Sequence, residues 1–146
     1  MKQEFFVWTN KTRIPSISDI CDALAAAGFP SQVAEHDGGE NSWHWKRLEL
    51  ATEVEGQSQS CTVMATTPSR EDIEKMVEDY EDLPFQVKGA ARKYTIVGES
   101  DEYGQPTLFH LRVVAAIAKL THGVVEDPQE SGLMLLDEFE AFIAST

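Results

Sequence analysis

Cysteine is scarce in this chain of 146 residues: Cys21 and Cys61 stand forty positions apart with no CxxC spacing. That excludes a disulfide framework and a paired-thiolate metal site, and two free thiols are the expected state. Cations are scarce as well. Twelve Lys and Arg face 25 Asp and Glu, a formal net charge of -13. A chain so short of positive charge is not expected to bind nucleic acid or an anionic membrane unaided. Long apolar runs are missing too, so no bilayer-spanning helix is expected. The start, Met1 to Trp8, breaks off into Thr9-Asn10-Lys11 before a secretory apolar stretch develops, and a cytoplasmic location is the expectation. Phosphate-cradling glycine motifs and nucleophile elbows are absent.

What is present is the balance of a soluble globular protein, 42% hydrophobic and 25% charged, and the length suits one domain spanning 1–146. Glu4 to Thr9 is aromatic and β-branched and predicts a strand. Ser16-x-x-Asp19 reads as a helix cap, and Ile17, Ile20, Cys21, Leu24 and Ala27 follow at helical spacing before Gly28 and Pro30 stop it. Ser31 to His36 predicts a short strand. A strand over Ser42–Leu50, a turn at Glu55-Gly56-Gln57-Ser58 and a return over Ser60–Thr66 make a hairpin.

Thr67-Pro68-Ser69 opens a second helix, with Ile73, Met76, Val77 and Tyr80 as its buried stripe and Leu83-Pro84 as its end. Phe85 to Val97 has strand character, interrupted at Gly89, and Ser100 to Gly104 is a polar turn. Thr107 to Thr121 predicts a helix with Leu108, Leu111, Val114, Ala115, Ala118 and Leu120 inward. Val124-Val125-Glu126 is a short strand ended by Asp127-Pro128, and Leu136 to Ser145 is a final helix with Phe139, Phe142 and Ile143 on its apolar side. The class is α+β: a mostly antiparallel sheet with helices packed on one face, a ferredoxin-like relative being the simplest arrangement.

Catalytic signals are sparse. His36, His44, His110 and His122 show neither HxH nor HExxH spacing, so no metal and no cofactor are expected. His122, beside Gly123, suits the negative end of a helix. Glu126 and Asp127 are adjacent and point to opposite sides of an extended chain, and Asp127-Pro128 opens a turn. No catalytic residue is assigned, and a non-enzyme is expected.

Two surfaces stand out. Seven acids, Glu71, Asp72, Glu74, Glu78, Asp79, Glu81 and Asp82, face only Arg70 and Lys75 across the second helix. The early acids suit the helix dipole, whereas Glu81 and Asp82 near its expected end oppose it, which hints at another use. A solvated helix face accounts for the pattern. So does a docking surface for a basic protein, with Glu71, Asp72, Glu78, Asp79, Glu81 and Asp82 as the contact residues. The alternative is a small-ligand pocket with Trp43, His44 and Trp45, joined by Tyr94 and Glu99; the competing reading places the two indoles in the core. The last helix could also support self-association, and the oligomeric state stays open.

The stretch Leu111 to Gln129, an Ala-rich helix followed by Thr-His-Gly-Val-Val-Glu-Asp-Pro-Gln, resembles segments of small bacterial proteins, some of them similar to immunity proteins of toxin systems. The resemblance implies a bacterial, cytosolic, non-catalytic α+β protein and assigns no functional residue. The leading expectation is therefore an acidic interaction protein, such as an immunity-type inhibitor of a basic partner.

Overall fold

Alternation along the first strand explains the architecture. In β1 (Lys2–Thr9), Phe5 and Val7 point to one side while Phe6 and Trp8 point to the other, and only Phe6 of the four is more than marginally exposed. A run apolar on both sides belongs in the middle of a sheet covered on both faces. The computed structural model, which describes residues 2–38, 45–129 and 132–145, places it there. The remaining elements are α1 (Ile17–Ala26), β2 (Ser31–His36), β3 (Arg47–Val54), β4 (Gln57–Thr66), α2 (Arg70–Asp79), α3 (Phe85–Lys88), β5 (Arg92–Glu99), α4 (Leu108–Thr121), β6 (Val124–Asp127), β7 (Gly132–Met134) and α5 (Leu136–Ala144). The strands form one sheet of order β2-β3-β4-β5-β1-β6-β7, and every described pair is antiparallel.

The α+β class with an antiparallel sheet holds, and two finer expectations change. A ferredoxin-like sheet is built from split β-α-β units and needs parallel neighbours; here β2 to β5 form a meander and β1 slots between β5 and β6. The helices also lie on both faces rather than one. On the first face α1, α4 and α5 enclose the main core around Phe5, Val7, Leu50, Val63, Ile96 and Val125. On the second, α2 and α3 cover a smaller cluster of Trp8, Met76, Leu83 and Val87, with Phe6, Ile73, Tyr80 and Leu133 at its edge.

Local signals set several elements as expected. The Ser16 hydroxyl caps α1 by accepting from the Asp19 N–H at 3.0 Å. Glu55 (φ 51°) and Gly56 (φ 79°) make the two-residue hairpin turn, whose paired positive φ values glycine adopts freely. Thr107 caps α4, and His122 closes it in the left-handed conformation (φ 54°).

Other boundaries move for tertiary reasons. Pro68 precedes the helix, and Ser69 is the α2 cap in a reciprocal box with Asp72. The helix stops at Asp79, so Glu81 and Asp82 lie beyond it and do not oppose its dipole. Val77 and Leu108, expected inside, are 56% and 48% exposed, because α2 buries only the stripe through Met76 and Leu108 is the first residue of α4, whose later turns are flanked by α1 and α5. That flanking buries α4 almost all round. Phe85 opens the short α3 instead of a strand, and β5 starts at Arg92. The strand expected from Ser42 begins at Arg47. Trp43 and His44 lie outside the described residues. Phe139 and Ile143 are buried in cis against the main core, so this side of the last helix is not a free docking surface.

Candidate functional site

Strand register assembles a polar hollow on the second face. Trp8 pairs with Lys93 of β5 and with Val124 of β6, and Phe6 pairs with Glu126. All of these residues point toward α2. The helix contributes Asp72, Met76 and Asp79 at three- and four-residue steps, one stripe of its surface, and Tyr80 follows at the helix end. Together with Lys75 and Pro128 these residues, Val124 excepted, line a cavity of about 340 Å³.

Its chemistry centres on the Glu126 carboxylate, 8% exposed. The Trp8 indole N–H donates to Oε1 at 3.0 Å and the Tyr80 hydroxyl donates to Oε2 at 3.0 Å. A buried carboxylate needs such donors to offset its lost hydration. Burial, and then the Glu126 charge, push the Tyr80 phenol up to about 12, so it stays protonated and donating. Lys93 lays its ammonium 4.3 Å from the Phe6 ring centre and 4.7 Å from the Trp8 ring, a double cation–π contact. The Ser69 backbone N–H and hydroxyl, with Lys93 and Lys75 nearby, hold Asp72 below the usual carboxylate range.

A second hollow of about 420 Å³ adjoins the first along β6. Leu83, Pro84, Val124, Leu133 and Leu135 give it apolar walls, and Glu81, Asp82 and Glu138 outnumber Lys88 among its charged lining residues. Of the acids singled out in the sequence, Asp72 and Asp79 thus reach the first hollow and Glu81 and Asp82 the second. Glu71 and Glu78 are on the exposed part of α2 and line neither.

Sequence reasoning did not single out Phe6, Trp8, Tyr80, Lys93 or Glu126 for this site. From the sequence Glu126 ends a short strand, and Asp127-Pro128 opens a turn. Asp127 does open one, accepting from the Gln129 N–H at 3.0 Å. The available signal was the neighbouring Phe6 and Trp8 on the non-core side of β1, paired with a carboxylate in a short β-branched strand.

Of the described members of the alternative ligand wall, Trp45 and Tyr94 lie in the core and Glu99 is exposed. Trp45 is fully buried, donates its indole N–H to the Pro15 carbonyl at 2.8 Å, and packs 6.3 Å from the Tyr94 ring. Cys61 is buried and Cys21 half-buried, both as free thiols, and burial raises both thiol pKa values. Neither is therefore poised as a thiolate. Among the described residues no group of three or more His, Cys, Asp or Glu is arranged to hold a metal, and no helix is long and apolar enough to cross a membrane.

The chain matches no protein-family model, no curated protein and no solved structure.

Proposed function

We propose that this chain is a non-enzymatic interaction protein that docks a basic protein partner on its α2 side, in the manner of an immunity-type inhibitor. The supporting observation is the joining of carboxylates to aromatic walls. The acids of α2 and of the following loop border two adjacent hollows, one of which holds the pinned Glu126 carboxylate beside the Phe6 and Trp8 rings. A solvated acidic face needs no such hollows. Basic side chains entering them would pair with carboxylates in partly desolvated surroundings, where charge pairs count for more than in open water.

The test compares two variants of equal net charge. Octa-arginine is titrated calorimetrically into the native chain, into Asp79→Lys/Asp82→Lys, and into Glu53→Lys/Glu102→Lys. The second pair is exposed and lies elsewhere on the molecule. Binding that weakens with salt and falls at least tenfold more in the α2-side variant supports the docking face. Equal losses in the two variants would mean that bulk charge alone attracts the peptide, and would overturn it.

A further inference from the structure

We infer that the hollow between β1, β6 and α2 is a receptor for one arginine side chain of the partner, and that Lys93 is a built-in surrogate which the arginine displaces. This inference rests on the docking reading above and deepens it to a single subsite.

The hollow already shows the chemistry of its ligand, because a cation of the chain itself rests on two of its rings. The Lys93 ammonium stands over both Phe6 and Trp8. Register puts it there: Lys93 is the direct cross-strand neighbour of Trp8 and diagonal to Phe6. Beside them is Glu126, the cross-strand partner of Phe6, each oxygen accepting one hydrogen bond, from Trp8 and from Tyr80. A carboxylate offers about four acceptor positions, so about two remain on Glu126. A guanidinium fork presents two parallel N–H donors to a carboxylate with acceptor capacity to spare. Asp72 and Asp79 add negative charge at the mouth.

An arginine fits this combination better than a lysine. Its planar group stacks on the indole, sheds water more readily than an ammonium, and presents its donors in a fixed fork. A volume of about 340 Å³ accommodates a side chain rather than a folded element. The flanking apolar hollow with its excess of acids would take neighbouring residues of the same basic segment.

Because Lys93 competes for the rings, its removal is expected to strengthen binding. The probe is N-acetyl-Gly-Arg-Gly-amide, with the Gly-Lys-Gly counterpart as comparison. The readout is the Trp8 indole N–H resonance of the isotope-labelled full chain, which reports this hollow alone. The arginine peptide is expected to shift that resonance at lower concentration than the lysine peptide. Lys93→Met is expected to tighten it by about fivefold, the worth of one exposed cation–π contact. Lys75→Met removes the same charge from the same hollow without touching a ring pair, so its gain measures bulk electrostatics. Glu126→Gln, which keeps an acceptor for Trp8, is expected to abolish the preference for arginine.

A gain in Lys93→Met no larger than in Lys75→Met overturns the inference. So does equal binding of the two peptides, or a Trp8 resonance that stays still while others move. Should Glu126→Gln fail to fold, the two lysine variants decide alone. The octa-arginine comparison reads the whole face and not this resonance, so the docking reading can stand where the arginine receptor falls.

Discussion

Among the described residues His110 is the one histidine sealed in the core, 1% exposed, with Nε2 3.0 Å from the Ile96 carbonyl and its ring edge-on to Phe5 at 5.2 Å. Burial depresses its pKa below the ordinary 6.5, so the folded chain keeps it neutral. Below pH 6.5 the unfolded chain takes up a proton that the folded chain refuses, and stability falls as pH drops toward the lower folded value. Urea melts between pH 7.5 and 5 are expected to show this loss, and His110→Gln to flatten it. Asp37 and Asp72, whose folded pKa values are lowered, act in a separate window, below their ordinary 3.8. The ring also fixes its neighbour. A Cβ on Gly98 would sit 2.7 Å from two atoms of the imidazole. Gly98→Ala is therefore expected to cost about 1–3 kcal/mol by overpacking, measured from the urea midpoint at constant slope. Trp45→Ala is expected to cost about 3–5 kcal/mol, the loss for a buried aromatic. A cost below about 1 kcal/mol in thermal melts would restore Trp45 to a ligand wall. The core reading of Trp45 is legible in its strand pattern, whereas its Pro15 partner and the meeting of Gly98 with His110 are not, because both join distant segments.

At the scale of elements, α2 carries the proposed interface and depends on its cap. Ser69 and Asp72 satisfy each other's backbone N–H groups at 2.9 and 3.1 Å. Only Met76 of the helix is buried, with Ile73 half-buried beside it, so the cap is a sizeable share of what holds α2 in place. Ser69→Ala is expected to cost about 1 kcal/mol and to weaken octa-arginine binding, as read by melts and calorimetry on the same sample. The element comparison separates local from non-local causes. Helix α1 was read to within a residue, because cap, apolar spacing and stop all lie inside one short segment. Phe85-Gln86-Val87 was read as strand from its alternation, yet Pro84 supplies the extended cap residue and Val87 folds under Trp8 as the first turn of α3. Strand β7 has three residues and too little pattern to read; it exists through its pairing with β6.

Across the whole molecule 25 acids outnumber 12 Lys and Arg, so ion pairs such as Arg112–Glu140 at 3.0 Å and Arg70–Glu74 at 3.3 Å leave most acids without a cation to match. Self-repulsion is expected to dominate, and salt screens it. The melting temperature should therefore rise as sodium chloride increases from about 20 to about 500 mM, a direction opposite to that expected for the octa-arginine affinity. A flat or falling melting temperature would show that attractive pairs outweigh the repulsion. The same scale explains the second helical layer. Phe6 and Trp8 leave an apolar patch on the far side of β1, and α2 and α3 close over it, while the margin of that closure is the hollow around Glu126.

Sequence alone determined the α+β class, the antiparallel habit of the hairpin strands, the cap of α1, the turn at Glu55-Gly56 and the acidity of α2. Each is written within a few consecutive residues, through periodicity, hydrogen-bonding side chains or backbone freedom. Tertiary structure alone decided where β1 lies, which side of it each helix covers, and what Glu126 does. Trp8 and Glu126 are 118 positions apart, and Tyr80 and Glu126 are 46 apart. No local pattern encodes such a meeting. It follows from closing long loops and burying both faces of one strand, a free-energy balance struck over the whole chain.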